Sequence, residues 1–137
     1  MTITEYGKLI KEENEDFIVL IKYGKFYRCF DYDAFIIHYL LKYKLTSKNT
    51  IGFPIECLDK VLNILKHNNL STIVVNNNIN YIKYEVINNK YDKLVKNALN
   101  YNNEEMAKSD IICTIKNKIS KDFSLLYKIK TFIDNLN

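Results

Sequence analysis

A chain of 137 residues that is 47% apolar can bury one compact core, with or without an appendage, and is too apolar for wholesale disorder. A net charge of +4 is too mild to prove a nucleic-acid partner by itself. No apolar run approaches the length of a membrane span, and the acidic first segment is unlike a signal peptide, so a cytoplasmic location with no membrane contact is expected.

The charge is unevenly spread. Residues 1–16 hold two lysines against five acids, residues 17–75 hold eight cations against four acids, and residues 76–137 hold ten against seven. The middle is therefore basic and the start acidic. Asn, Ile, Lys and Tyr are abundant and Gly and Pro scarce, as A/T-rich codons would produce, which discounts part of the basic signal. Cys29, Cys57 and Cys113 are widely spaced, form no CxxC or Cys/His cluster, and read as free thiols.

In chain order, residues 3–14 read as a short amphipathic helix, with Tyr6, Leu9 and Ile10 on one face and Thr4 as a fair N-cap. Phe17 to Tyr23 is a β-branched and aromatic strand that Gly24 interrupts as a tight turn or bulge would. Lys25 to Phe30 is a second extended piece. Its alternation puts Phe26, Arg28 and Phe30 on one side and Tyr27 and Cys29 on the other. Asp31 or Asp33 can then cap a largely apolar helix over 34–45. His38 within it reads as a packed, hydrogen-bonded residue, since no triad or metal set lies near it in sequence.

A polar loop at Thr46–Lys48 leads to Ile51-Gly52-Phe53-Pro54 and a helix over 55–65, whose Leu58, Val61, Leu62 and Leu65 make a core stripe. Ser71 to Val75 is an apolar strand, Asn76–Asn78 a turn, and Tyr81 to Ile87 a half-exposed alternating strand. Beyond Asn88 the pattern becomes helical. One helix spans Tyr91 to Leu99, a loop falls at Asn102-Asn103, a second helix spans Ile111 to Ile119, and a third is capped by Ser120. These elements predict an α/β (α+β) fold. A mixed sheet built from 17–23, 25–30, 45–53, 72–75 and 81–87 is flanked by helices in a domain over 1–88. An all-helical extension over 89–137 packs on that domain or dimerises it.

The run Gly24-Lys25-Phe26-Tyr27-Arg28-x-Phe30-x-x-Asp33-Ala34 resembles the mismatch-recognition segment of the N-terminal domain of MutS proteins. The resemblance continues through Gly52-Phe53-Pro54, similar to the family's Gly-Val-Pro element, and the Leu58–Leu65 helix, and covers roughly residues 3–87. It implies a MutS domain I-like fold. In that family the Phe of a Phe-x-Glu motif stacks on a mispaired base and the Glu hydrogen-bonds to it. Here Phe26 matches, Arg28 stands where the Glu belongs, and Lys25 replaces the acidic residue after the glycine.

The resemblance implies a reading head without the motor: the sequence has no Walker A motif, no paired carboxylates and no Ser/His/Asp set, so no ATPase or other enzyme activity, no cofactor and no metal are expected. The expected partner is double-stranded DNA, mismatched or distorted sites included. Phe26 would act as a wedge, and Lys22, Lys25, Arg28 and Lys48 would hold phosphates. The alternative is a protein-interaction module that keeps the fold, never touches DNA, and pairs with itself or a partner protein through the C-terminal helices. In that case Phe26, like most strand aromatics, packs in the core.

Overall fold

The computed structural model describes residues 1–121, so the helix expected from Ser120 onward lies outside the described residues. Residues Met1–Tyr101 form one compact unit, and a second begins at Asn102. The elements are α1 (Ile3–Glu13), β1 (Ile18–Tyr23), β2 (Phe26–Phe30), α2 (Asp31–Leu41), β3 (Thr50–Pro54), α3 (Leu58–His67, entered through a 3-10 turn at Ile55–Cys57), β4 (Thr72–Val75), β5 (Ile82–Tyr84) and α4 (Tyr91–Lys121).

The sheet is mixed, in the order β3-β2-β1-β4-β5. The β1–β4 pair is parallel, and β1–β2, β2–β3 and β4–β5 are antiparallel. This is the fold class the pattern predicts. The apolar run of β1 is buried on both sides, as expected of a central strand next to a parallel neighbour.

One face of the sheet carries Ile18, Leu20, Tyr27, Cys29, Ile51, Phe53 and Val74, and packs on apolar residues of α2, α3 and the start of α4. The α3 stripe is buried at Val61 and Leu65, and Tyr91, Leu94 and Ala98 bring α4 into the same core. The other face carries Val19, Ile21, Ile73 and Val75, and is covered by α1 through Ile10, with Ile3 and Tyr6 beside it. Gly7 sets that contact. A Cβ built there would lie against the Ile21 side chain, 2.6 Å from its Cγ1, so the helix rests on β1 with no room for a methyl.

Five expectations are corrected. The strand expected over Tyr81 to Ile87 is only Ile82–Tyr84, with all three residues exposed and a bend at Ile87 and Asn88. The cap of α1 is Thr2, not Thr4: Thr2 Oγ1 accepts from the Glu5 amide at 3.1 Å and Glu5 returns a bond to the Thr2 amide at 3.2 Å, a closed capping box. Helix α2 starts at Asp31 directly after the strand. Phe30, still paired with Thr50 of β3, stands at its N-cap, and its ring offers no acceptor for a side-chain cap bond. Residues 45–49 are not strand but loop, and β3 begins at Thr50. Finally, α4 runs without a break through Asn102 and Asn103, where a loop is expected.

His38 is half-buried, and its Nδ1 bonds the Tyr43 carbonyl at 2.7 Å, as a packed histidine should. Cys29 and Cys57 are free thiols. Burial, with the nearby Asp33 charge, pushes the Cys29 thiol well above its ordinary range, so it is an inert core residue. Among the described residues no helix is long and apolar enough to cross a membrane.

Candidate nucleic-acid interface

The β1–β2 hairpin turns on two residues, Gly24 and Lys25, with Tyr23 opposite Phe26. Gly24 has φ +61 and Lys25 has no positive φ, the pattern of a type II′ turn. That turn suits the right-handed twist of the strands and requires a residue without Cβ strain at its first position.

Alternation along β2 sends Tyr27 and Cys29 into the core and leaves Phe26 and Arg28 on the face that α1 covers. That cover reaches Phe30 but stops short of the turn. Phe26 is therefore 48% exposed and its cross-strand neighbour Tyr23 54% exposed. The Arg28 guanidinium lies 4.0 Å from the centroid of the Tyr23 ring, a cation–π stack that spans the two strands. Two aromatic rings and a planar cation thus form one exposed platform at the end of the hairpin.

The platform borders a groove of about 430 Å³ lined by Phe26, Arg28, Thr46, Ser47, Lys48, Thr50 and Gly52. None of these is acidic. A tightly bonded loop delivers Lys48 to it. The Thr46 amide donates to the Thr50 carbonyl at 2.9 Å, the Asn49 amide to the Thr46 carbonyl at 3.0 Å, and the two threonine hydroxyls meet at 2.6 Å. Asn49 and Asp31 both have positive φ, at 58° and 52°, and the Asp31 amide donates to the Asn49 carbonyl at 2.8 Å. The strand-to-helix corner and the loop that carries Lys48 are thereby locked together, in conformations that Asn and Asp tolerate better than most residues.

Of the expected phosphate-binding residues, the fold brings Arg28 and Lys48 to one groove beside Phe26, with Lys25 exposed in the adjoining turn. Lys22 is opposite Tyr27 in the ladder, so its side chain leaves the sheet on the other face. Tyr23 was not singled out in the sequence. Its place as the last strand residue before a two-residue turn, directly across from Phe26, is the signal that could have found it.

Asp33 takes a different part from the cap its position suggests. It is 3% exposed, its Oδ2 accepts from the Val19 amide at 3.1 Å, and its Oδ1 accepts from Lys11 Nζ at 2.8 Å and from the Tyr91 hydroxyl at 2.6 Å. Lys11 also donates to the carbonyls of Phe17 and Glu15 at 2.6 and 2.9 Å. One carboxylate therefore ties α1, β1, α2 and α4 together beneath the hairpin's base. Burial pushes the Asp33 carboxyl above the usual carboxylate range, opposed by Lys11 and by its other donors. The Tyr91 hydroxyl is pushed well up by burial and by the Asp33 charge, so it stays a donor at any ordinary pH.

A mixed-sheet α/β domain with an exposed aromatic hairpin and basic groove is the class of protein that fold and surface define. A family model described as MutS domain I matches residues 3–90, and the chain belongs to that family. MutS domain I is a non-catalytic recognition domain with a fold of the mismatch-recognition type. No curated protein gives a match to this chain.

Proposed function

We propose that this protein is a non-catalytic DNA-binding module. Phe26 wedges into a weak or deformable base step from the minor groove, and Tyr23 and Arg28 extend the stacking surface. Lys25 and Lys48 hold the flanking phosphates, and Lys22, on the other face, adds only long-range charge. The reading is carried by a single observation: Phe26 lies exposed on the uncovered end of the sheet, with Arg28 and Lys48 lining the same acid-free groove.

The energetics favour faulty sites. Unstacking costs about a few kcal/mol per step and least where pairing is already poor. Stacking a base on an aromatic ring returns about 1–3 kcal/mol. Arg28 alters the balance. A glutamate at this place is repelled by phosphates and penalises ordinary duplex, whereas an arginine attracts any backbone and donates to minor-groove acceptors. Affinity for all duplexes rises and discrimination falls.

The test is binding of the full chain to a short homoduplex at low and moderate salt. A steep fall in affinity with salt supports the reading, and no binding at low salt would overturn it. The second reading, an interaction module that keeps the fold without touching DNA, draws on one observation, the apolar side chains exposed around β5.

A further inference from the structure

We infer that β5 is a self-pairing edge, through which a second copy of this chain extends the sheet across a twofold axis. The strand sits at the end of the sheet order, farthest from β3, and among the described residues no strand pairs with its outer side. All three of its residues are exposed. Ile82 and Tyr84 are 49% and 45% exposed, Tyr81 is 40% exposed, and Ile79 and Ile87 around them are largely bare. A strand edge with a row of exposed apolar side chains is a template for another strand.

The occupant is read from the sequence of the edge itself. Residues 81–87 run Tyr-Ile-Lys-Tyr-Glu-Val-Ile, and this run is complementary to its own reverse about Tyr84. In antiparallel pairing about Tyr84, Tyr84 meets Tyr84 of the other copy, Lys83 meets Glu85 and Ile82 meets Val86, before the chain bends at Ile87. Each charge thus finds its opposite and each apolar residue an apolar partner, on the same faces, as cross-strand pairing requires. A twofold axis demands such self-complementarity, since one patch must serve both sides.

Within the chain Lys83 Nζ already lies 3.2 Å from a Glu85 carboxylate oxygen, so the two side chains share a face and are poised to form an alternating quartet with their counterparts. Natural edges commonly use a lone lysine to repel a second strand. Here that lysine is neutralised two residues on. The regular strand stops at Tyr84, and the Val86 amide donates inward to the Ser71 hydroxyl at 3.0 Å, which keeps residue 86 against the sheet before the chain bends at Ile87. Pairing here leaves the Phe26 surface of both copies free, because β2 and β3 are at the opposite end of the sheet.

The experiment is sedimentation of the full chain over the micromolar range, with Lys83→Glu, Glu85→Lys and the double charge swap. A wild-type dimer is expected. Each single variant turns two attractive cross-strand pairs repulsive and should weaken association about tenfold or more, and the swap should restore it. Lys83 and Glu85 are 37% and 64% exposed, and beyond their own pair Lys83 only overlies the Phe17 ring at 4.7 Å, so circular dichroism should be unchanged in all three. A wild-type monomer throughout the range would overturn the inference. So would single variants that dimerise as the wild type does, which would place the contact elsewhere, or a double swap that fails to restore pairing.

Discussion

The Arg28 guanidinium stacks on the Tyr23 ring, 4.0 Å from its centroid, across the turn that presents Phe26. A cation held over one aromatic ring and two residues from another is pre-oriented. It loses little rotamer freedom when it meets a phosphate or a base edge. Arg28→Glu should remove the stack and place a carboxylate beside the groove. Affinity for homoduplex should fall at least about tenfold and the salt slope should drop by about one or more. The ratio of mismatched to matched binding should rise, which a titration of both duplexes reads directly.

Lys48 and Lys22 should behave differently although both are exposed or half-exposed cations near the hairpin. Lys48 lines the groove beside Phe26, and Lys22 leaves the opposite face. Lys48→Ala should lower the salt slope of duplex binding by about one. Lys22→Ala should leave the slope close to the wild type. Equal effects would mean that DNA does not sit in the groove.

The Lys11–Asp33 pair predicts a pH-dependent stability. Lys11→Met removes the positive partner of a carboxylate that is 3% exposed, and should destabilise the fold by about 3 kcal/mol at neutral pH. Asp33 is already held above the carboxylate range, and the loss of Lys11 raises it further. Above the folded pKa, ionised Asp33 costs stability. As pH falls through that value the folded protein takes up a proton that the unfolded chain does not yet hold, and the cost is relieved. Denaturant titrations from neutral to mildly acidic pH should therefore show the deficit of Lys11→Met shrinking on acidification. Tyr91→Phe, which deletes the 2.6 Å bond to Asp33, should cost about 1–3 kcal/mol without loss of DNA binding.

Two glycines should fail for opposite reasons. Gly7→Ala drives a methyl into Ile21, so it should cost about 1–3 kcal/mol by overpacking, as read by thermal melting. Gly24→Ala meets no atom within 4 Å but must hold φ near +61, so it should cost about 1 kcal/mol through backbone strain alone. An Asn at 24 should recover part of the second loss and none of the first.

Much of the fold was legible because its signals are local. Alternation along β2 separated Phe26 and Arg28 from Tyr27 and Cys29, and the α3 stripe marked its buried side. What alternation cannot tell is how far a helix covers a sheet face. Both Phe30 and Phe26 point to the α1 side, yet only Phe30 packs beneath it, because the helix rests on β1 and β4 and ends before the turn. Asp33 was legible as a residue at a helix start and not as a buried tether, since its partners Lys11 and Tyr91 lie far off in sequence. At Asn102 and Asn103 the low helix propensity of asparagine, about 0.7 kcal/mol or less per residue, is too small to break a 31-residue helix.

The most direct test of the wedge is Phe26→Ala measured on three duplexes that differ at one site: fully paired, one G·T mispair, and one unpaired T. Phe26 is half exposed, so its truncation should leave the fold intact. Wild type should bind all three, bind the two faulty duplexes at least as well as the paired one, and lose about five- to a hundredfold on every one of them when the ring is removed, as expected for about 1–3 kcal/mol of stacking. Unchanged binding of Phe26→Ala on all three duplexes would contradict the wedge, and would leave the basic groove as a purely electrostatic surface.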